Sequence, residues 1–208
     1  MTILRLYKRS FVQINILFLF FIAGVILLAN SQHIPPVILF WPPPTPYPRS
    51  QWLFTHTFQI LCCVSPLVCA FTFFLLNKIV PNHPKNSFFF ASTLIMGFFW
   101  LNEIYRFHII LLSFGLAKIL SIMVFSMVFC AYLLMFWRQL QQTRYWIFAL
   151  GMILLFVAIL IDSLHLKNYQ LASVLEGIPK LLSGVNLALY FWDTCQKELL
   201  QTFKLVKS

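Results

Sequence analysis

Long apolar segments separated by short polar ones make up almost the whole chain. A membrane-spanning helix needs about 20 mainly apolar residues, and six segments reach or approach that length. The sixth contains Glu176 and Lys180 but is long enough to span. The pattern therefore predicts an all-α fold, a single transmembrane domain of six helices over residues 1–208. The predicted helices cover about residues 11–29, 52–76, 87–105, 119–137, 145–161 and 171–192.

The composition agrees with a chain whose solvent is lipid. Apolar residues make up 61% of the 208 residues and charged residues only 10%, against roughly 25% charged in an ordinary soluble domain. So few charges cannot cover a water-facing surface, which excludes a soluble globular protein. The 24 phenylalanines exclude a disordered chain, because disordered chains are poor in aromatic residues.

The basic residues predict the orientation in the membrane. The net charge of +10 would suggest nucleic acid in a soluble protein, but here the bases are spread singly between apolar segments, so we expect no nucleic-acid partner. With the N-terminus in the cytoplasm, ten bases lie on the cytoplasmic side and four on the other. Cytoplasmic loops retain Lys and Arg, so both termini are predicted to be cytoplasmic, in the cell (inner) membrane, with membrane lipids or a membrane protein as partner.

Two segments near the N-terminus allow alternatives. Residues 11–29 follow three bases, as in a signal peptide, but the apolar stretch is long and lacks a small-x-small site, which favours an uncleaved helix. The predicted outer loop, residues 31–51, holds seven of the eleven prolines and cannot form a helix or a central strand. We expect a stiff interfacial linker; the alternative is a lid over an outward-facing cavity.

Ionisable residues inside a membrane are costly, so each is a candidate functional group. In the predicted orientation they gather near the outer ends of three helices, whereas the cytoplasmic halves are expected to carry almost none. Their common depth suggests one polar cluster facing the outside. The members are Glu103, Arg106 and His108 on helix 3, Asp162 and His165 on helix 5, and Glu176 and Lys180 on helix 6.

Asp162 and His165 are the first candidate metal ligands. Their i, i+3 spacing places both side chains on one helical face, where they could hold Zn²⁺ together or where Asp162 could orient the imidazole. His108 is a third candidate ligand. The alternative is a polar helix end in which both groups are simply hydrated by interfacial water.

Two acid–base pairs complete the predicted site. Glu103 and Arg106, at i, i+3, can neutralise each other, and so can Glu176 and Lys180 at i, i+4. Pro179 removes a backbone donor between the second pair, so helix 6 is expected to bend there and to line a cavity. Glu176 and Glu103 are the candidate catalytic bases, and Arg106 and Lys180 provide compensating positive charge.

These positions carry a resemblance to known membrane proteins. The pattern Asn102-Glu103-x-x-Arg106-Phe107-His108, then Asp162, then Leu175-Glu176-x-x-x-Lys180-Leu181-x-x-Gly184 resembles uncharacterised prokaryotic polytopic membrane proteins. More distantly it is similar to alkaline-ceramidase-like membrane hydrolases, in which His and Asp at one membrane face hold zinc. The chain departs from those hydrolases because it has no H-x-x-x-H helix and no clear Ser–Asp helix, which puts zinc in doubt.

Two functions fit these observations. In the favoured one the chain is not an enzyme, and its polar cluster binds an ion, a lipid headgroup or a partner; structural ion pairs also imitate catalytic sites. The alternative is a membrane-embedded, metal-dependent hydrolase acting on a lipid or lipid-like amide. There Zn²⁺ would lower the pKa of a bound water, and Glu176 or Glu103 would act as general base.

Overall fold

The computed structural model describes residues 2–40, 53–106, 118–164 and 168–207. Within those ranges the chain is helical and contains no strand. Apolar segments become helices because in lipid every backbone N–H and C=O must be satisfied within the segment itself. The helices are α1 Thr2–Ser31, α2 Leu53–Ile79, α3 Asn86–Tyr105, α4 Lys118–Gln141, α5 Tyr145–Ser163 and α6 Tyr169–Lys207, with a short 3-10 turn at Pro36–Leu39.

Five of these described helices are long and apolar enough to cross a membrane. They are α2, α3 and α5 over their whole length, Ser10–Ser31 of α1 and Ile122–Gln141 of α4. The chain is therefore a membrane-type, multi-helix protein. α6 is not among the five, because its charged and polar residues lower its mean hydropathy.

Three helices differ from their predicted bounds, and α1 begins at Thr2 instead of about residue 11. α4 passes through a non-helical residue, Phe136, with φ −107° and ψ 15°, and continues to Gln141. α6 extends beyond the predicted end at Trp192 to Lys207. A helix continues as long as its backbone hydrogen bonds can form, whereas the predicted bounds were set by the ends of the apolar segments.

The described chain divides into two compact units. The first comprises Met1–Phe58 and Ala149–Asn186, and the second comprises Gln59–Phe148 and Leu187–Ser208. α2, α5 and α6 each contribute to both units, so long helices are shared between them.

Helical periodicity explains which face of α2 is buried. Its buried residues recur every three or four positions, the spacing that places side chains on one face of a helix. Those with this spacing are Phe54, Phe58, Cys62, Ser65, Cys69, Thr72 and Leu76. The small members allow close approach of a neighbouring helix, and the Sγ atoms of Cys69 and Cys195, on α6, are 4.0 Å apart.

α6 is the most polar of the described helices over its central part, yet the most enclosed. Between residues 181 and 195 only Trp192 is exposed, and only Leu182 and Leu189 are half-buried. A helix that carries amides, hydroxyls and carboxylates cannot face lipid without cost. The more apolar helices instead expose large apolar side chains such as Phe20, Phe74 and Phe156, as expected of surfaces that face lipid.

In the first unit, α1 is bound to α6 through a pair of asparagines. The Asn15 Nδ2 donates to Asn186 Oδ1 at 3.2 Å and the Asn186 Nδ2 donates to Asn15 Oδ1 at 2.9 Å. Each amide also donates to the carbonyl four residues earlier on its own helix, Phe11 at 3.1 Å and Leu182 at 2.6 Å. Four polar bonds are thus made in an apolar setting.

Replacing Asn186 by leucine is expected to lower the free energy of unfolding by about 1 kcal/mol, the usual size of an interhelical hydrogen-bond contribution in membranes. The cost stays modest because Asn15 keeps its bond to the Phe11 carbonyl. SDS-driven unfolding in mixed micelles measures it. The Asn15→Leu/Asn186→Leu double variant should cost less than the two single variants added; strict additivity would show that the amides do not interact.

Candidate functional site

The predicted pair Glu176 and Lys180 lies in the first unit, in the part of α6 that precedes its most enclosed stretch. Both residues are half-buried. The helix is continuous through Gly177 and Pro179, and the bend at Pro179 stays a prediction. Glu176 and Lys180 therefore stand one turn apart on an unbroken helix, with Gly177 between them.

An aromatic ring covers the backbone between the two charges. A Cβ added at Gly177 would lie 2.1 Å from Cδ1 of Phe40, 2.4 Å from Cε1 and 2.9 Å from Cγ. The Phe40 ring thus occupies the space in which any other residue at position 177 would place its side chain. Glycine is required here by close approach.

The start of α2 forms the other wall of this region. The Phe40 and Phe54 ring centroids are 5.0 Å apart, and the Thr55 Oγ1 donates to the Phe40 carbonyl at 3.0 Å. The Lys180 Nζ lies 5.0 Å from the centroid of the Phe58 ring, within the range of a cation–π interaction. We name Glu176, Lys180 and the rings of Phe54 and Phe58 the Glu176–Lys180 site, which the Phe40 ring covers at Gly177.

The predicted residues on α3 lie in the second unit. Glu103 is half-buried, and its backbone carbonyl accepts a hydrogen bond from Gln59 Nε2 at 3.2 Å. Arg106 ends the helix in the left-handed region at φ 50° and ψ 53°, with its N–H donating to the Asn102 carbonyl at 2.8 Å. Neutralisation of Glu103 by Arg106 stays a prediction.

The predicted metal ligands are only partly described. Asp162 is exposed near the end of α5, whereas His108 and His165 lie outside the described residues. In the described ranges no group of three or more His, Cys, Asp or Glu is placed to hold a metal ion. Asp162 and Glu176 belong to the first unit and Glu103 to the second, so their convergence on one cavity stays a prediction.

The structure also shows a charged cluster that the sequence reading missed. Two of the five acids, Asp193 and Glu198, lie beyond the predicted end of helix 6, and both are buried. Neither acid is among the predicted site residues. We name the cluster the Asp193–Glu198 network; its other members are His83, Lys85, Arg144 and Lys197.

Glu198 binds the loop between α2 and α3. Its Oε2 accepts a hydrogen bond from Lys85 Nζ at 2.6 Å, and its Oε1 is 3.6 Å from His83 Nε2. The His83 Nδ1 accepts the backbone N–H of Lys85 at 3.3 Å, which leaves Nε2 directed toward the carboxylate. One buried acid thus holds two residues of the same loop.

Asp193 binds the turn between α4 and α5 in the same way. Its Oδ1 accepts a hydrogen bond from Arg144 NH1 at 3.3 Å, and its Oδ2 pairs with Lys197 one turn further along α6. The neighbouring Tyr190 hydroxyl is 2.9 Å from Thr143 Oγ1. The i, i+4 spacing of Asp193 and Lys197 was visible in the sequence, but their loop partners were not.

Comparison with known proteins places the chain in a family. The sequence model of a family described as a domain of unknown function, DUF8692, matches residues 14–194. The chain belongs to this family. The match covers most of the chain, from α1 to Thr194 on α6, and so includes every predicted site residue.

No curated protein and no solved structure matches the chain. Membership in an uncharacterised family agrees with the first part of the resemblance drawn from the sequence. The distant similarity to alkaline-ceramidase-like hydrolases receives no support from these comparisons.

Proposed function

We propose that this family member is a six-span membrane protein with both termini in the cytoplasm. α6 would be the sixth span: its 39 residues correspond to roughly 58 Å at about 1.5 Å per residue, well beyond the ~30 Å hydrocarbon core. Its polar residues are tolerated because apolar helices enclose them. The bias of ten bases against four supports this orientation, and six of the ten lie in the two terminal segments.

This topology predicts the outcome of cysteine labelling in intact cells. Gln32, just after α1, and Gln142, in the α4–α5 turn, are both exposed. A membrane-impermeant maleimide is expected to modify a Gln32→Cys variant and to leave a Gln142→Cys variant unmodified until the cells are broken open. The native chain gives the background from its own five cysteines. The opposite labelling pattern would invert the proposed orientation.

We further propose that the protein is not an enzyme and that the Glu176–Lys180 site binds an ion or a lipid headgroup from the outer leaflet. The observation that carries this proposal is the position of two half-buried ionisable side chains one turn apart on α6, just before its enclosed stretch. Such groups are costly in a membrane and mark ion or substrate positions. The aromatic rings beside them give an apolar wall to a site whose polar groups are few, as in small-ligand sites.

The alternative hydrolase depends on His108 and His165, and no observation on the described residues favours it. Because the proposed ligand site is one for an ion or a lipid headgroup, we propose membrane lipids as the partners rather than another membrane protein. If Glu176 and Lys180 only neutralised each other, replacing both with leucine would leave the bound ligand unchanged. The free energy of unfolding would also change little, because a buried ion pair adds little net stability.

The test compares what the purified native chain and the Glu176→Leu/Lys180→Leu variant retain. Native mass spectrometry detects bound phospholipid, and elemental analysis detects a bound ion. We expect one stoichiometric ligand on the native chain and its loss from the double variant, with a Lys204→Leu variant as control because Lys204 is an exposed base distant in sequence. Equal ligand content in a folded double variant would refute the proposal.

A further inference from the structure

We propose that residues 34–40 close the Glu176–Lys180 site, and we name this segment the Phe40 plug. The Phe40 ring is the closing group, and it packs against Gly177. The inference rests on the proposed function in one respect: the site beneath the plug is the one assigned to the ligand. All the residues involved belong to the first unit.

The plug is closed in this structure. Val37 and Leu39 are buried, with 4% and 5% of their surface exposed. The Phe40 ring lies on Gly177, against Phe54, and its carbonyl accepts the Thr55 hydroxyl. A single aromatic side chain therefore stands between the start of α2 and the α6 backbone that joins Glu176 to Lys180.

Gly177 differs from two other helical glycines in the space around its Cα atom. Gly24 on α1 has no heavy atom within 4 Å of an added Cβ, and at Gly97 the nearest atom is Pro66 Cβ at 3.8 Å, an ordinary contact. Only at Gly177, among these three, would a methyl group overlap a ring. The residue between the two charges is thus the one whose missing side chain lets the plug seat.

The plug can move without unfolding a helix. It consists of one 3-10 turn held by Ile38 N–H to Pro35 O at 3.0 Å and Phe40 N–H to Val37 O at 3.1 Å. His33, which joins the plug to α1, has a left-handed backbone at φ 58°. Short 3-10 turns lack the extended hydrogen-bond ladder of an α-helix, so rotation of Phe40 or displacement of the turn uncovers α6 while α2 and α6 stay intact.

Acylation of Lys180 tests the closure on the native protein without any ligand. A water-soluble, charged N-hydroxysuccinimide ester of acetate modifies accessible lysine amines, and mass spectrometry of peptides reports the rate at each lysine. In the native chain we expect slow modification of Lys180 and fast modification of exposed Lys204. Phe40→Ala and Gly177→Ala should each raise the Lys180 rate about tenfold, since a methyl forced into a filled site displaces its neighbour.

Gly24→Ala is the matched control, because it makes the same helical substitution in open space and should leave the Lys180 rate unchanged. Phe40→Ala leaves α6 untouched, so it carries the test if Gly177→Ala does not fold. The double variant should be no faster than either single variant, because both act on one contact. Unchanged Lys180 rates in folded Phe40→Ala would overturn the closure, whereas the ligand measurement above can fail independently of it.

Discussion

Replacing Lys85 by leucine is expected to lower the free energy of unfolding by about 3 kcal/mol, the cost of leaving a buried charge without its main partner. The side chain of Glu198 is only 10% exposed and its shortest ion pair is with Lys85. In the variant, Glu198 would keep only the longer contact with His83. SDS-driven unfolding in mixed micelles, followed by tryptophan fluorescence, measures the difference.

Lys197→Leu is the matched control, because it removes the same kind of ion pair at a more exposed position. Lys197 is 43% exposed and Asp193 retains Arg144. Exposed i, i+4 pairs contribute about 0.5 kcal/mol or less, so this variant should be nearly as stable as the native chain. Equal losses for Lys85→Leu and Lys197→Leu would mean that burial does not set the strength of the network.

A double variant separates the net contribution of the Lys85–Glu198 pair to stability from the destabilisation caused by removing only one partner. In Lys85→Leu/Glu198→Leu no charge is left unpaired, and replacing a buried ion pair with apolar residues is often neutral or stabilising. We expect the double variant to recover most of the stability lost by Lys85→Leu. The Asp193–Glu198 network would then serve mainly to fix which loops meet α6 rather than to add net stability.

The sequence predicted the helices well because lipid imposes one rule on every segment: its backbone must be satisfied internally. That rule produces long apolar runs, and their length and spacing are readable without knowing any contact. The end of α6 was not readable in the same way. After Trp192 the mean hydropathy falls, although the buried stripe continues through Asp193, Glu198 and Thr202.

The candidate site was predictable only in part, because a sequence gives the depth of a residue but not what lies beside it. Glu176 and Lys180 stood out as charges in an apolar segment. The ring of Phe40, far away in the chain, gives Gly177 its role, and no local pattern links the two. Likewise the sequence places a proline at position 179, but it does not show that the helix continues through this residue to Lys207.

Among the phenylalanines, too, the sequence does not show which side chains are buried. Replacing a buried one is expected to cause the second large loss of unfolding free energy. Phe148 on α5 is 5% exposed and belongs to an aromatic cluster in the second unit. Its ring centroid lies 5.9 Å from that of Phe129, 5.0 Å from Tyr190 and 6.1 Å from Phe191. Phe148→Ala should cost about 3 kcal/mol of unfolding free energy, the lower end of the range for buried Phe→Ala.

The lower end is expected because lipid is itself apolar, so transfer out of water contributes little and the loss comes from the cavity and from dispersion contacts. Phe156→Ala on the same helix is the control: Phe156 is 61% exposed, and its removal should change the free energy by about 0.5 kcal/mol or less. Mean hydropathy treats the two residues as identical. If SDS-driven unfolding showed equal losses for both variants, the aromatic cluster would not be part of the core, and α5 would be held by contacts other than those of Phe148.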